Sequence, residues 1–304
     1  MSLQDSPLKP QPPQAATQLT TLPPTSGLGN KVVGTIHPTS IIHPTASIHP
    51  SATVGPFCLV GPSVTIRANT TLLSHVTVQR NTSVGSNCLI HPFVVLGGSS
   101  QALADCPDSG RLTVGNNCVI RECVTANLGT STERGTTIGD GCLIMANAHV
   151  GHDCTLGEQV ILTNGVLLAG HVKIGRGAIL AGGSAVVQFC EVGEFAYVGG
   201  KSAVSRDVLP FVMVKGWRGK VVGVNAVGLK RRGWGESRIR RVQRGVGMIL
   251  KRIDEKGKEG GLIEEEEWER DDEEGDIKRL VEFVKKSKNG ICMGEISGAG
   301  VAKI

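Results

Sequence analysis

Residues 138–174 read IGDGCLIMANAHVGHDCTLGEQVILTNGVLLAGHVKI, and every sixth letter of that stretch is Ile, Leu or Val: Ile138, Ile144, Val150, Leu156, Leu162, Leu168 and Ile174. A helix returns a residue to one face every 3.6 positions or so and a strand every second position, and neither alone gives a period of six. A short strand followed by a corner does, and such units stack into a β-helix. The same phase runs outward from Ile36 to Val204. Of the 29 positions divisible by six in that range, 25 hold Ile, Leu or Val, so the repeat organises most of the chain rather than one motif.

Two positions before each of these residues sits a second, usually smaller one, as at Ala46, Ala52, Cys58, Val64, Cys88, Val94, Cys118, Cys142 and Cys154. Residues two apart in a strand share a face, so each strand points one branched and one small side chain inward. The corners (VGPF, VGSN, VGNN, IGDG, IGRG) hold Gly, Asn, Asp and Pro, which suit tight turns and positive φ. Three six-residue sides make a coil of 18, and successive coils lie about 4.8 Å apart. Burying each Ile, Leu or Val contributes roughly 1.5–3 kcal/mol, so the column supplies a core although aromatic residues make up only 3% of the chain. Two gaps interrupt the column without changing its phase. From Leu96 to Val114 is one coil's length, and Ala126 to Ile138 is two sides. Residues 97–111 and 127–135 are read as protruding loops, the kind of segment that carries ligand contacts on a regular scaffold.

The expected organisation is a disordered tail over 1–31, rich in Pro, Gln, Thr and Ser, a β-helix over 32–210, a helical region over 211–290 and a flexible tail over 291–304. DVLPFVMVKG (207–216) reads as an exit strand. Ile239, Val242, Val246, Ile249, Leu250 and Ile253 recur at helical spacing and predict an amphipathic helix near 236–256, with a second near 276–288. The acidic run EEEEWERDDEE between them reads as an exposed connector.

No run of 18 apolar residues occurs, which excludes a helical membrane span. The Pro-rich start lacks the apolar stretch of a secretory signal. Six of the nine cysteines, Cys58, Cys88, Cys118, Cys142, Cys154 and Cys190, fall in the small inward slot, and no zinc spacing appears. That usage fits a reducing compartment, cytoplasmic, with an organelle matrix such as the mitochondrial one as the alternative. From Lys215 to Lys258 there are 14 Lys or Arg against 3 Asp or Glu, a bias suited to phosphate or an acidic carrier protein. Nucleic acid is not expected, because no interleaved aromatics or known module accompany the charge.

The densest polar cluster is NAHVGHDC, Asn147 to Cys154. One coil on from His152 is Gly170, and one further is Gln188, so the repeat places an imidazole, a bare glycine amide and a carboxamide in one vertical line, with His171 beside Gly170. His152 can act as a general base. Asp153 can fix its tautomer, and the Gly170 N–H can serve a developing oxyanion. His37, His43 and His49, in IHP corners, read as repeat decoration. His149, His152 and His171 form a conceivable zinc set, but HxxH followed by a third histidine 19 positions on departs from the HxxxxH of γ-class carbonic anhydrases. No metal or cofactor is expected.

NAHVGHDCTLG (147–157), LLAGHV (167–172), VQFCEVG (187–193) and GVNAVGLKRRG (223–233) resemble the UDP-N-acetylglucosamine acyltransferases of lipid A synthesis, and the similarity runs from about Ile36 to about Arg252. The resemblance implies a left-handed parallel β-helix and a homotrimer with sites between subunits. It implies transfer of an (R)-3-hydroxyacyl chain from acyl carrier protein to the 3-hydroxyl of a UDP-sugar, UDP-N-acetylglucosamine. It assigns the base to His152, its partner to Asp153, the thioester-binding amide to Gly170, and support to His149 and His171. Nucleotide and phosphate contacts fall on Gln188, Asn225, Arg231 and Arg232, and the measure of acyl length on Gly200. Departures concentrate on the acceptor. Ala102 and Ala104 stand where the family loop, QDLKY-like, has an acid and a lysine. Asn127 and Val187 replace histidines, and Val227 replaces a glutamate. Losing one charged phosphate contact costs about 1.5–3 kcal/mol. Alternatives therefore stay open: an acyltransferase with a changed acceptor, a non-catalytic trimeric scaffold or carrier-protein-binding module, and a zinc hydratase.

Overall fold

The computed structural model describes residues 34–102, 110–131, 133, 135–260, 272 and 274–294. The expected tail over 1–31, residues 295–304 of the tail expected over 291–304, and nearly all of the acidic connector lie outside the described residues. From Ile41 onward the chain turns through short strands that stack into three flat sheets, of nine, eight and ten strands among the described residues, parallel except for one terminal hairpin. Partners on one face lie 18 residues apart wherever the chain is uninterrupted, as in His149 with Leu167 and Leu167 with Ala185. The Ile, Leu and Val residues at the sixth positions from Val54 to Val204 point inward and are buried, and the six cysteines of the small slot are buried beside them.

The three faces differ outside. Face one carries Ile41, Leu59, Val95, His149, Leu167 and Ala185. Face two carries Ser47, Thr65, Ser83, Thr113, Thr137, Thr155, Lys173 and Glu191. Face three carries Leu89, Val119, Leu143, Ile161, Ile179 and Tyr197. Face two is polar throughout, whereas faces one and three are largely apolar, broken by Thr77, Thr125 and His149 on face one and by Thr53 and Thr71 on face three. Corners between faces repeatedly use positive φ, with non-glycine residues such as Asn147 (φ 60), Asp153 (φ 58), His171 (φ 61) and Phe189 (φ 66) there. The rigid ladder on either side holds them in a conformation that free chains disfavour.

The two gaps are not spacer coils. Val84 pairs with Val114, thirty positions on instead of eighteen, and Val114 pairs with Ile138, twenty-four on. Each is therefore one ordinary side with extra residues extruded from the corner between faces one and two. The flanking strands run to Gly98 and Asn127, so the loops begin one to two residues later than expected.

The parallel ladder also continues past 210. Val212–Lys215 adds to face three beside Tyr197, and Lys220–Val224 folds back on it antiparallel. The region after 210 is thus not helical from its start. Three helices follow: α1 (Ala226–Arg231), α2 (Glu236–Gly260) and α3 (Asp276–Lys286). The two longer ones match the apolar spacing read from sequence, and Val242, Val246, Ile249, Ile277, Leu280 and Val284 are buried. Arg238 grips Asp276 with two bonds of 2.7 and 2.9 Å, and Arg241 pairs with Glu274. Part of the basic segment is therefore spent on the acidic segment beside it. Residues 291–294 are not a free tail. Ile291 bridges Asp207, Gly294 bridges Val221, and Ile291 and Cys292 are buried.

Candidate active site

The line from His152 through Gly170 to Gln188 forms as the repeat requires. The backbone of His171 bonds to His152 and that of Phe189 to Gly170, so the three residues climb one edge, between faces one and two. His152 is only 5% exposed. Its Nδ1 donates to Asp153 Oδ2 at 2.8 Å. A Cβ added to Gly170 would lie 2.4 Å from both Nε2 and Cε1 of His152, so the second ring nitrogen faces the one rung of this line that has no side chain. Gln188 is exposed at the top of the line.

A second line, Asp153, His171 and Phe189, climbs beside the first, each residue at a left-handed corner position. His171 Nε2 is 3.7 Å from Asp153 Oδ2. The His152 and His171 rings meet edge to face at 5.0 Å, and His171 stacks on Phe189 at 4.6 Å with 11° between planes. Sequence reasoning passed over Phe189, which is exposed on its outer side, although the eighteen-residue step from His171 was available to find it.

Asp153 has further partners. Its Oδ1 accepts the Thr130 N–H at 3.0 Å, and its own N–H donates to Thr136 Oγ1 at 2.9 Å. Burial pushes the carboxyl up, but the His152 bond, Thr130 and nearby His171 outweigh it and hold the group below its ordinary value. Asp153 is thus a carboxylate near neutral pH. His149 lies on face one, with Nδ1 sharing a 2.7 Å hydrogen bond with Thr125 Oγ1. Burial, aided by His152, lowers its pKa.

The ligand atoms that converge are those of His152, Asp153 and His171, all within 4.8 Å of one another. Among the described residues His149, the remaining member of the candidate zinc set, is not in this group; its ring is hydrogen-bonded to Thr125. The shortest contact within the trio is the His152–Asp153 hydrogen bond, an arrangement that serves proton transfer. His37, His43 and His49 each hold a corner through Thr39, Thr45 and Ser51.

The remaining residues carried over by resemblance lie elsewhere on this chain. Asn225 caps α1: its Oδ1 accepts from Gly228 N at 3.1 Å and its Nδ2 donates to Phe195 O at 2.9 Å. Arg232 donates to Gly177 O at 2.8 Å and covers the Phe195 ring. Burial lowers its pKa, with Arg176 adding to the effect. Both side chains are engaged in fastening α1 to the edge between faces two and three, whereas Arg231 in the last turn of α1 is exposed. Gly200 is exposed on the third edge, between faces three and one. One chain therefore distributes the expected site over all three edges.

Residues 207–292 match the family described as UDP N-acetylglucosamine O-acyltransferase, domain 2, and residues 135–170 match the bacterial transferase hexapeptide of six repeats. The structure of LpxA from Acinetobacter baumannii is 34% identical and superposes with a TM-score of 0.78, covering 84% of this chain and 98% of that one. The chain belongs to the UDP-N-acetylglucosamine O-acyltransferase family. Its fold is the left-handed parallel β-helix of hexapeptide repeats with a helical C-terminal region. The Arabidopsis UDP-N-acetylglucosamine acyltransferase is 30% identical, with a TM-score of 0.72 over 85% of this chain and all of that one. A curated relative from Anaeromyxobacter sp. (strain K), named acyl-[acyl-carrier-protein]–UDP-N-acetylglucosamine O-acyltransferase, is 38% identical over 132 residues, 43% of this chain. The aligned part spans about half, 51%, of that relative's length.

Proposed function

We propose that the protein transfers an (R)-3-hydroxyacyl chain from acyl carrier protein to the 3-hydroxyl of UDP-N-acetylglucosamine. The observation that carries this is the His152 ring, anchored at Nδ1 by Asp153 and open at Nε2 toward Gly170. Nε2 takes the proton of the sugar hydroxyl as its oxygen attacks the thioester carbonyl. The Gly170 N–H serves the tetrahedral oxyanion. Collapse breaks the C–S bond, and the imidazolium returns its proton to the departing thiolate. Asp153, ionised at neutral pH, stabilises the imidazolium meanwhile.

The acceptor and partner surfaces fit a homotrimer. If face three of one subunit packs on face one of the next, the two apolar faces are covered and polar face two stays outside. The base edge of one subunit then meets the Arg231–Arg232 edge of its neighbour, and the edge with Gly200 turns inward. On that inward edge the rings of Phe57, His75 and Phe93 stack at 5.1 Å steps, with both phenylalanines exposed in the single chain. Gln188 and Arg231 are the exposed members of the assigned nucleotide contacts, Arg232 is partly exposed beside them, and His149 and His171 support the base. Gly200 leaves room for a longer acyl chain, which acyl profiling of the product tests. No helix among the described residues is long and apolar enough to cross a membrane, and the buried free thiols suit a cytoplasmic or organelle-matrix setting.

The test is direct: purified protein, 3-hydroxyacyl carrier protein and UDP-N-acetylglucosamine, with product followed by mass spectrometry. Transfer that is lost in His152→Ala supports the reading. A silent wild type beside an active control enzyme overturns it. A second reading, a changed acceptor or a non-catalytic carrier-protein-binding trimer, is favoured by Ala102, Val187 and Val227, none of which offers a polar side chain, and by Val187 standing exposed next to Gln188. A panel of other sugar nucleotides separates the two cases.

A further inference from the structure

The loop over residues 128–135 is tied down at both ends. Leu128 is buried, and its N–H bonds to Gly98 O at 2.8 Å. Asn127 Nδ2 donates to Ser99 O at 2.8 Å, and Gly129 N–H to Arg111 O at 3.2 Å. The second loop is thus fastened to the roots of the first. Gly129 has no room for a side chain, because a Cβ there would fall 2.5 Å from Gly135 Cα and 2.7 Å from Asp153 Oδ1. The next residue, Thr130, gives its N–H to that same Oδ1, while Thr136, where the chain re-enters the ladder, accepts the Asp153 N–H. One carboxylate oxygen is thereby held by the loop and the other is left for His152 Nδ1. The loop holds a carboxylate whose backbone sits at a left-handed corner, φ 58, a strained conformation that persists where surrounding contacts fix it.

We propose that Gly129, Thr130 and Thr136 are positioning residues for the base: they fix the Asp153 carboxylate so that its Oδ2 orients His152. The inference rests on the transferase reading for its kinetic consequence, but the clamp itself can be observed without turnover. Gly129→Ala pushes the loop off Asp153, and Thr136→Val removes the acceptor for its N–H. Thr136→Ser keeps it.

The experiment labels histidine with 15N and follows the His152 Nδ1–H resonance in the full-length chain, alongside steady-state kinetics. Wild type and Thr136→Ser show a downfield, exchange-protected proton. Thr136→Val and Gly129→Ala lose it while remaining folded by circular dichroism. kcat falls roughly ten- to a hundredfold in those two variants, part of the 10²–10⁴ that a positioned base supplies, with KM for both substrates within about twofold. In an Asp153→Asn background the same substitutions cost nothing further, because the carboxylate through which they act is gone. An unmoved resonance in folded Thr136→Val and Gly129→Ala overturns the clamp, as does an undiminished effect in the Asp153→Asn background. A wild type that shows the protected proton but transfers no acyl group leaves the clamp standing and removes the transferase reading instead.

Discussion

At the scale of single residues, Gly170 shows how little the site tolerates. A methyl group there would sit 2.4 Å from the His152 ring, well inside van der Waals contact, so the ring must shift. The backbone at Gly170 has no positive φ, so alanine is conformationally acceptable and the damage is local. Gly170→Ala is expected to lower kcat by about 10²–10³-fold through a displaced base and a crowded oxyanion position. The midpoint of thermal unfolding should stay within a few degrees of wild type, and differential scanning calorimetry next to the acyl-transfer assay checks both halves. The first line of the site was legible because Gly170 and Gln188 follow from adding the coil length to His152. The second line is legible by the same rule, since one coil on from His171 is Phe189, whose ring stands exposed rather than in the core. The partners of Asp153 were not legible, since Thr130 lies within, and Thr136 just past, an insertion that breaks the eighteen-residue step linking one rung to the next.

At the scale of elements, the C-terminal region makes its contacts through caps and long-range bonds that a pattern of apolar residues does not encode. Asn225, assigned to the nucleotide by resemblance, also has its amide engaged by Gly228 and Phe195. Asn225→Ala is expected to destabilise by about 1–3 kcal/mol, the sum of a lost helix cap and a buried carbonyl left unpaired. Urea unfolding measures this. Arg231→Ala should leave unfolding unchanged and weaken UDP-sugar binding by isothermal titration. The end of the ladder carries a second case. Asp207 takes up the tail through Gly290, Cys292 and Asn289 and lies beside Glu191, whose pKa is raised by burial against the opposing pull of Lys173, with Asp207 raising it further. A raised carboxyl binds its proton more tightly in the folded state, so its ionisation costs stability at neutral pH, and that cost disappears as pH falls below the unfolded value of about 4.3. Glu191→Gln should therefore unfold at a higher temperature than wild type at pH 7.5. The gap should narrow steadily toward pH 4 in scans at matched ionic strength. The hidden length of the two loops belongs to this scale as well. Both insertions are multiples of six, so the count by sixes passes over them undisturbed. Only the pairing of Val84 with Val114 and of Val114 with Ile138 reveals that the extra residues leave the prism at one edge, directly beside the base.

At the scale of the whole molecule, three faces with one backbone geometry carry two kinds of surface, and that asymmetry argues for assembly. Leu143, Ile161 and Ile179 stand outward on face three, and Ile41, Leu59 and Leu167 on face one. The equivalent positions of face two hold Ser, Thr, Lys and Glu. A lone prism in water gains nothing from long runs of outward Leu, Ile and Val on two of its three faces, whereas a ring of three prisms, face three on face one, covers both runs. The proposed ring would join the base edge of one subunit to the Arg231 edge of the next, which predicts that transfer depends on assembly. Ile161→Asp places a charge in the middle of the covered surface, where an unpaired carboxylate costs several kcal/mol. It is expected to reduce the mass by light scattering from three chains toward one and to abolish transfer, with the circular dichroism of the β-helix retained. Thr113→Asp, an equal charge on face two, should change neither mass nor activity. A trimer that survives Ile161→Asp with full activity would place the interface elsewhere and would separate the apolar faces from the completion of the site.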